Sequence, residues 1–283
     1  MGKRTRRGII AASAAVATAA ALSFGGSAAF AASPVVPDNP GALDTSLDGN
    51  TGNQAAFYRF ASSNRVLTAL FAAQNTTGWN GDVAILASSA NYADALASSA
   101  LADELDAPIL LSNADGTLDP QVKAYLAGFE SVIIVSGTGV IPESTKNALL
   151  VAGVSDVFRV SGVNRFETAA AIAIYTYVTS GGTGGVNFIL ADGMNFPDAL
   201  AAGPAAGSVN NGLVLLTAGS DGVSPYTYDL VSGHPVSWSS GSQLPVETVF
   251  GAVINWFVGI DGHADITVVG GACLLYTSPS PRD

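Results

Sequence analysis

Short aliphatic blocks punctuate the chain: VAILA at 83–87, PILLS at 108–112, SVIIV at 131–135, FILA at 188–191, LVLLT at 213–217 and ITVV at 266–269. They lack polar alternation and are too brief for helices, which is the pattern of strands buried on both faces. Helical segments lie between them. Asn164 precedes RFETAAAIAIYTYV and places Glu167 at the third helical position, a variant of the capping box. Asn64 stands in the same place before RVLTAL. Asn195 with Asp198 opens FPDALAAGPAA, where Pro197 suits a first turn, and Asn91 with Asp94 opens YADALA. Asp119-Pro120 starts QVKAYLAGF. Strands alternating with helices predict an α/β architecture of mostly parallel sheets covered on both faces, three layers deep.

The pattern occurs twice. RFASSNRVLTAL (59–70) aligns with RVSGVNRFETAA (159–170) at an offset of 100. AILASSANYADALA (84–97) aligns with FILADGMNFPDALA (188–201) at an offset of 104, and SVIIVSGTG (131–139) with DITVVGGA (265–272) at 134. PILLS aligns with LVLLT between these two. Four blocks in one order define an internal repeat. The change of offset predicts an insertion of some 29 residues within 218–243 of the second copy. The spans read as 55–155 for the first repeat and 156–272 for the second, which lacks the turn, helix and strand that close the first.

The ends read differently. Lys3, Arg4, Arg6 and Arg7 precede an apolar stretch and an A-x-A site at Ala29–Ala31, so residues 1–31 are expected to be a cleaved signal peptide, with no membrane span after cleavage. Residues 32–54, rich in Pro, Gly, Asp and Asn, read as a disordered linker. The whole chain has 11 Lys and Arg against 22 Asp and Glu; once the leader and the terminal Arg282-Asp283 are set aside, six basic and 21 acidic groups remain, a formal net of −15. So acidic a body is unsuited to nucleic acid or anionic lipid.

RVSGVNRFETAAAIA, NFPDALAAGPAA, LVLLT and ITVVGG, in this order, resemble the type 2 cell-wall-binding repeat (CWB2) of Gram-positive bacteria, whose pattern is R-x-x-G-x-x-R-x-x-T-A, N-F-x-D-A-L-A, (I/V)-L-L and V-x-G-G-x-G. The first copy departs from it at Ser62, Leu67 and Tyr92-Ala93. The resemblance implies tandem Rossmann-like domains, usually three, so a third repeat is expected in the same chain or assembly. It implies a secreted, non-catalytic anchor at the cell wall or cell surface, held without covalent bonds to an anionic cell-wall polysaccharide or teichoic-type polymer. Such repeats often accompany a hydrolase, so a secreted amidase-type wall hydrolase with its catalytic domain elsewhere is the alternative. CLLYTSPSPRD (273–283) matches a translated transposon-end sequencing adapter, which would make Cys273 uninformative about redox chemistry.

Candidate chemistry is sparse. Four of the six basic residues of the body, Arg59, Arg65, Arg159 and Arg165, occupy equivalent places in the two copies. They suit capture of phosphate, pyruvyl or carboxylate groups, or equally internal ion pairs with residues such as Asp94 and Asp198. The family resemblance points to Ile109, Leu110, Leu111, Val214, Leu215 and Leu216 for wall attachment, whereas their aliphatic character favours a core position. SGTGVIP (136–142) lacks a complete phosphate loop and reads as a tight turn. Two histidines, His234 and His263, and no genuine cysteine supply neither a catalytic constellation nor a metal site, and no cofactor is expected.

Overall fold

The computed structural model describes residues 61–76, 78–79, 81–181, 185–219, 222–234, 236–243 and 264–269. The expected signal peptide, the linker, Arg59, His263 and the 273–283 tail lie outside these residues.

In the first copy the elements run α1 (Arg65–Asn75), β1 (Val83–Ser88), α2 (Tyr92–Ala97), α3 (Ser99–Leu105), β2 (Ile109–Ser112), α4 (Pro120–Leu126), β3 (Ser131–Ile134), α5 (Glu143–Ala152) and β4 (Asp156–Arg159). The second copy follows with α6 (Arg165–Thr179), β5 (Val186–Asp192), α7 (Phe196–Gly207), β6 (Gly212–Thr217), α8 (Pro225–Val231) and β7 (Ala264–Val269). The strands form two parallel sheets, ordered β2-β1-β3-β4 and β6-β5-β7.

The internal repeat reappears in the register. Ile85 pairs with Ile109 and Ile133, and Ile189 pairs with Val214 and Thr267. The β1–β2 and β1–β3 pairings of the first sheet map onto β5–β6 and β5–β7 of the second, while β3–β4 has no counterpart among the described residues.

Two expected boundaries shift. β4 pairs with β3, so the first sheet runs to Arg159 and not to 155. The R-x-x-G-x-x-R block thus straddles the junction: its first arginine ends the first sheet and its second opens α6. The extra residues also fall later than expected. Ser224 caps α8 and Pro225 occupies its first turn, as Asp119 and Pro120 do for α4. The insertion therefore lies between α8 and β7, within 232–263.

Strand residues alternate between cores, as a period of two requires. Ala84, Leu86, Val132 and Ile134 point to a core closed by α1, α4 and α5. Val83, Ile85, Ala87 and Ile133 point the other way, to a central core shared by both copies. Ile189, Ala191, Val214 and Leu216 reach that core from the second sheet, while Phe188, Leu190, Leu213 and Leu215 pack beneath α6 and α8.

The copies meet through helices α6 and α7 against α2 and α3. The approach is close because α7 carries glycine where it crosses α3. A Cβ on Gly203 would stand 2.5 Å from Ser99 Oγ, and one on Gly207 would stand 3.2 Å from the Asp103 carboxyl carbon. The Tyr92 hydroxyl donates across the junction to the Met194 carbonyl at 2.9 Å.

Candidate functional site

In an open parallel sheet, ligands bind outside the carboxyl ends of the strands, where the strand order reverses. In the first sheet that place lies between β1 and β3. Ser88, Ser89, Asn91, Asp94, Ser136 and Arg159 gather there, and Asp192, Gly193, Asn195 and Asp198 hold the corresponding places in the second copy.

The arginines separate into two kinds. Arg159 is internal. Its side chain is 1% exposed, one guanidinium nitrogen donates to the Ser136 carbonyl, and the other bonds Glu143 at 2.9 Å. Its ion pair is thus made with Glu143 and not with Asp94 or Asp198. Arg159 therefore locks β4 to the turn after β3, and a ligand role for it is corrected to a structural one.

Arg65 and Arg165 are alike in both copies. Each sits at the start of its helix and donates one Nη1 bond to a carbonyl just past the first strand: Arg65 to Ser89 at 3.0 Å, Arg165 to Gly193 at 2.6 Å. Neither pairs with a carboxylate among the described residues. Arg65 is exposed and Arg165 half-buried. A guanidinium fork carries further donors suited to a bidentate anion.

Asp94 lies 8% exposed beneath this surface. Its Oδ2 accepts from Ser136 Oγ at 2.9 Å, and Ser136 Oγ accepts in turn from the Ser88 amide at 3.2 Å. Burial raises the Asp94 carboxyl to about 6, against the smaller lowering effects of the Ser136 hydrogen bond and the Arg165 charge from the second copy.

The R-x-x-G-x-x-R-x-x-T spacing has a local cause. Thr68 Oγ1 accepts from the Ser62 amide, and Thr168 Oγ1 accepts from the Gly162 amide, both at 3.1 Å. The threonine folds the preceding loop over the helix start. Gly162 is required in the second copy because a Cβ there would stand 2.4 Å from that of Glu167. Leu67 and Ser62 replace this pair in the first copy.

Glu167 does more than cap. It is fully buried; Oε2 accepts from the Val163 amide at 2.9 Å, while Oε1 accepts from the Ser239 amide at 2.6 Å and Ser242 Oγ at 2.8 Å. Gln243 then pairs with Ser161 in an antiparallel bridge. The first part of the insertion is thus a strap running from α8 across the start of α6 to the end of the first sheet. Trp238 packs on its inner side against two cores.

The other expected residues fall as follows. Asn64 accepts from the Leu67 amide, Asn91 from Ala93, and Asn164 from Phe166 and Glu167. Asn195 occupies the cap position of α7 but its side chain makes no capping bond, because this helix opens with Pro197 in its first turn and so has one donor fewer to satisfy. Asp198 is half-buried at the place matching Asp94. Leu110, Val214, Leu215 and Leu216 are buried strand residues with at most 1% exposure, which leaves them no surface for a polymer. Ile109 and Leu111 are half-buried against the central core. Four of these six side chains are thus core residues, and the other two lie at its margin. Gly137 accepts from the Val140 and Ile141 amides in the turn before α5, which is a tight βα connection. Among the described residues no group of three His, Cys, Asp or Glu could hold a metal ion, and no helix is long and apolar enough to cross a membrane.

Residues 59–146 and 159–272 match the family model of cell wall binding domain 2 (CWB2). The chain belongs to this family. One CWB2 match falls in each copy, and the tandem α/β fold is that of cell-wall-binding repeats. Among curated proteins, the N-acetylmuramoyl-L-alanine amidase LytC of Bacillus subtilis (strain 168) is 29% identical over 63% of the chain and 34% of its own length. The amidase enhancer of the same organism is 32% identical over 54% of the chain and 21% of its own. The CWB2 chain thus spans about a third and about a fifth of these two relatives. Cwp6 and Cwp8 from Clostridium difficile share its fold, with TM-scores of 0.53 and 0.52, 23% and 22% identity, over 77% and 71% of the chain and 36% and 33% of theirs.

Proposed function

We propose that this cell-wall-binding chain is a non-catalytic anchor of an exported protein, and that Arg65 and Arg165 each engage an acidic group of a wall polysaccharide or teichoic-type polymer. The observation that carries this is the recurrence, in both copies, of one arginine pinned by a single carbonyl at the carboxyl end of the first strand. In a body with six basic residues, two are held in the same way at the same place. Pinning lowers the entropy lost on binding, and two weak sites on one rigid scaffold gain avidity along a repeating polymer.

A third repeat completes the surface. Ala93, Ala97 and Ala100 of α2 and α3 are buried on the side where α6 packs, whereas their counterparts Pro197, Ala201 and Pro204 of α7 are exposed, with Leu200 57% exposed beside them. A contact in which one copy's first helix covers another copy's second is heterologous, and it repeats until a ring closes. The occupant of the α7 face is therefore the first helix of a further α/β repeat. LytC, named as an amidase, supports a second reading, in which the repeats serve a secreted wall hydrolase whose catalytic domain lies outside these residues.

The test is co-sedimentation of the full chain with purified Gram-positive walls. The double variant Arg65→Gln/Arg165→Gln is expected to keep its circular dichroism and melting temperature and to stay in the supernatant. A folded double variant that pellets like the wild type overturns the arginine assignment.

A further inference from the structure

Two side chains from different copies bond adjacent carbonyls at the junction. The Tyr92 hydroxyl, from the first copy, donates to the Met194 carbonyl at 2.9 Å, and Arg165 Nη1, from the second, donates to the Gly193 carbonyl at 2.6 Å. Neighbouring residues are only about 3.8 Å apart along the backbone, so the tyrosine hydroxyl and the guanidinium are brought to one place. Asp192 Oδ1 holds the same stretch from a third side, accepting from the Met194 amide at 2.8 Å. Met194 is thus tied at its own amide and its own carbonyl, and its side chain is 58% exposed. The Tyr92 side chain beside it is 37% exposed. Asn195, next in the chain, is exposed and makes no capping bond, and its amide offers a donor and an acceptor. Beside Arg65 the place of Met194 is taken by Ala90. The two arginine sites are therefore alike in their cation and unlike in the apolar surface next to it.

We propose that Tyr92, Met194 and Asn195 form, with Arg165, a subsite for an acidic sugar ring. The C–H face of a pyranose lies on the tyrosine ring and the thioether, its acidic substituent meets the guanidinium, and its hydroxyls meet the Asn195 amide. Tyrosine suits this task because it presents a large, rigid contact area at low cost in conformational entropy. A polyol phosphate chain supplies the acid without a flat apolar face, so it engages the arginine alone. The inference rests on the reading that Arg165 binds an acidic group of the polymer, and it narrows that polymer to one built of acidic sugars. Tyr92 is one of the positions at which the first copy departs from the family pattern, and its hydroxyl makes the bond that crosses the junction.

The experiment is co-sedimentation of the full chain with purified walls, in competition with two probes of matched charge. Oligogalacturonate carries a carboxylate on every pyranose ring, and oligo(glycerol phosphate) has no ring. The first is expected to displace the chain at a concentration about fivefold lower than the second. Met194→Ala and Tyr92→Leu, with unchanged circular dichroism, are each expected to weaken wall binding about fivefold and to bring the probes to equal potency. Tyr92→Phe keeps the ring and loses the junction bond, so it is expected to keep the preference for oligogalacturonate. Tyr228→Leu removes an exposed tyrosine from α8 and is expected to change nothing. Wall binding that Met194→Ala or a folded Tyr92→Leu leaves unchanged overturns the inference and leaves the anchor reading intact. So do equal potency of the probes on the parent, failure of oligogalacturonate to compete, an equal loss in Tyr228→Leu, and a Tyr92→Phe protein that loses the preference. If Tyr92→Leu does not fold, Met194→Ala decides. Failure of the parent to bind walls overturns both readings.

Discussion

Replacing Glu167 by leucine copies the residue that the first repeat uses at this position, Leu67. In the second repeat it should be costly. The carboxylate satisfies three donors, the Val163 and Ser239 amides and Ser242 Oγ, at 2.9, 2.6 and 2.8 Å. A hydrogen bond to a charged group contributes about 1.5–3 kcal/mol, and a buried donor left without a partner costs about 1–3 kcal/mol. The three donors are only partly buried and recover water when the strap lifts, so the sum is discounted to about 3–5 kcal/mol in all. For a folded body of this size that lowers the melting temperature by roughly 10 °C. Urea unfolding and limited proteolysis read the two halves of the effect. Glu167→Leu is expected to lower the unfolding midpoint and to open cleavage within 236–243 before the rest of the body is cut. Glu167→Gln, which keeps one acceptor oxygen, should fall between. A Glu167→Leu protein within 1 kcal/mol of wild type and equally protected over 236–243 would refute the strap. The comparison is sharp because Leu67 shows that leucine fits this helix position when no strap crosses it.

Leu215→Ala tests whether the aliphatic block is core or contact surface: a loss of about 2–5 kcal/mol in urea unfolding is expected, with wall binding per folded molecule unchanged. For Asp94, the folded-state carboxyl is raised to about 6 from 3.8, so the folded protein takes up a proton on acidification before the unfolded chain does. Asp94 therefore reduces stability above pH 6, and that penalty is relieved as the pH falls from above 6 to below 3.8. The relief is at most about 3 kcal/mol, and Asp94→Asn should remove this part of the stability–pH curve. An unchanged curve would contradict the burial argument.

The strands and most helix starts were legible in the sequence because their causes are local. An aliphatic run between turn residues has few alternatives to a doubly covered strand, and Asn164 meets the amides of Phe166 and Glu167 within one turn. Even the register was implicit, since the offsets of 104 and 134 put Ile189 opposite Thr267 as Ile85 is opposite Ile133. What escaped depends on residues far apart. Asp94 finds Ser136 across 42 positions, and Glu167 finds Ser239 and Ser242 across 72 and 75. The Gly203 and Gly207 spacing in α7 was visible, but only packing against Ser99 and Asp103 shows what it permits. The boundary near 155 missed its place because sequence similarity marks where a motif begins, whereas a parallel sheet ends only after its last crossover, at Arg159. The same geometry explains why the two arginines of one motif divide their labour. Arg159 closes the sheet behind it, and Arg165 bonds the Gly193 carbonyl past the first strand of the sheet ahead.

The central claim is that the arginines take hold of an acidic wall polymer, and the direct measurement compares the full chain on intact walls and on walls chemically stripped of that polymer. The account predicts pelleting with intact walls, weakening as salt rises, and none with stripped walls. Equal pelleting of both, insensitive to salt, would contradict it.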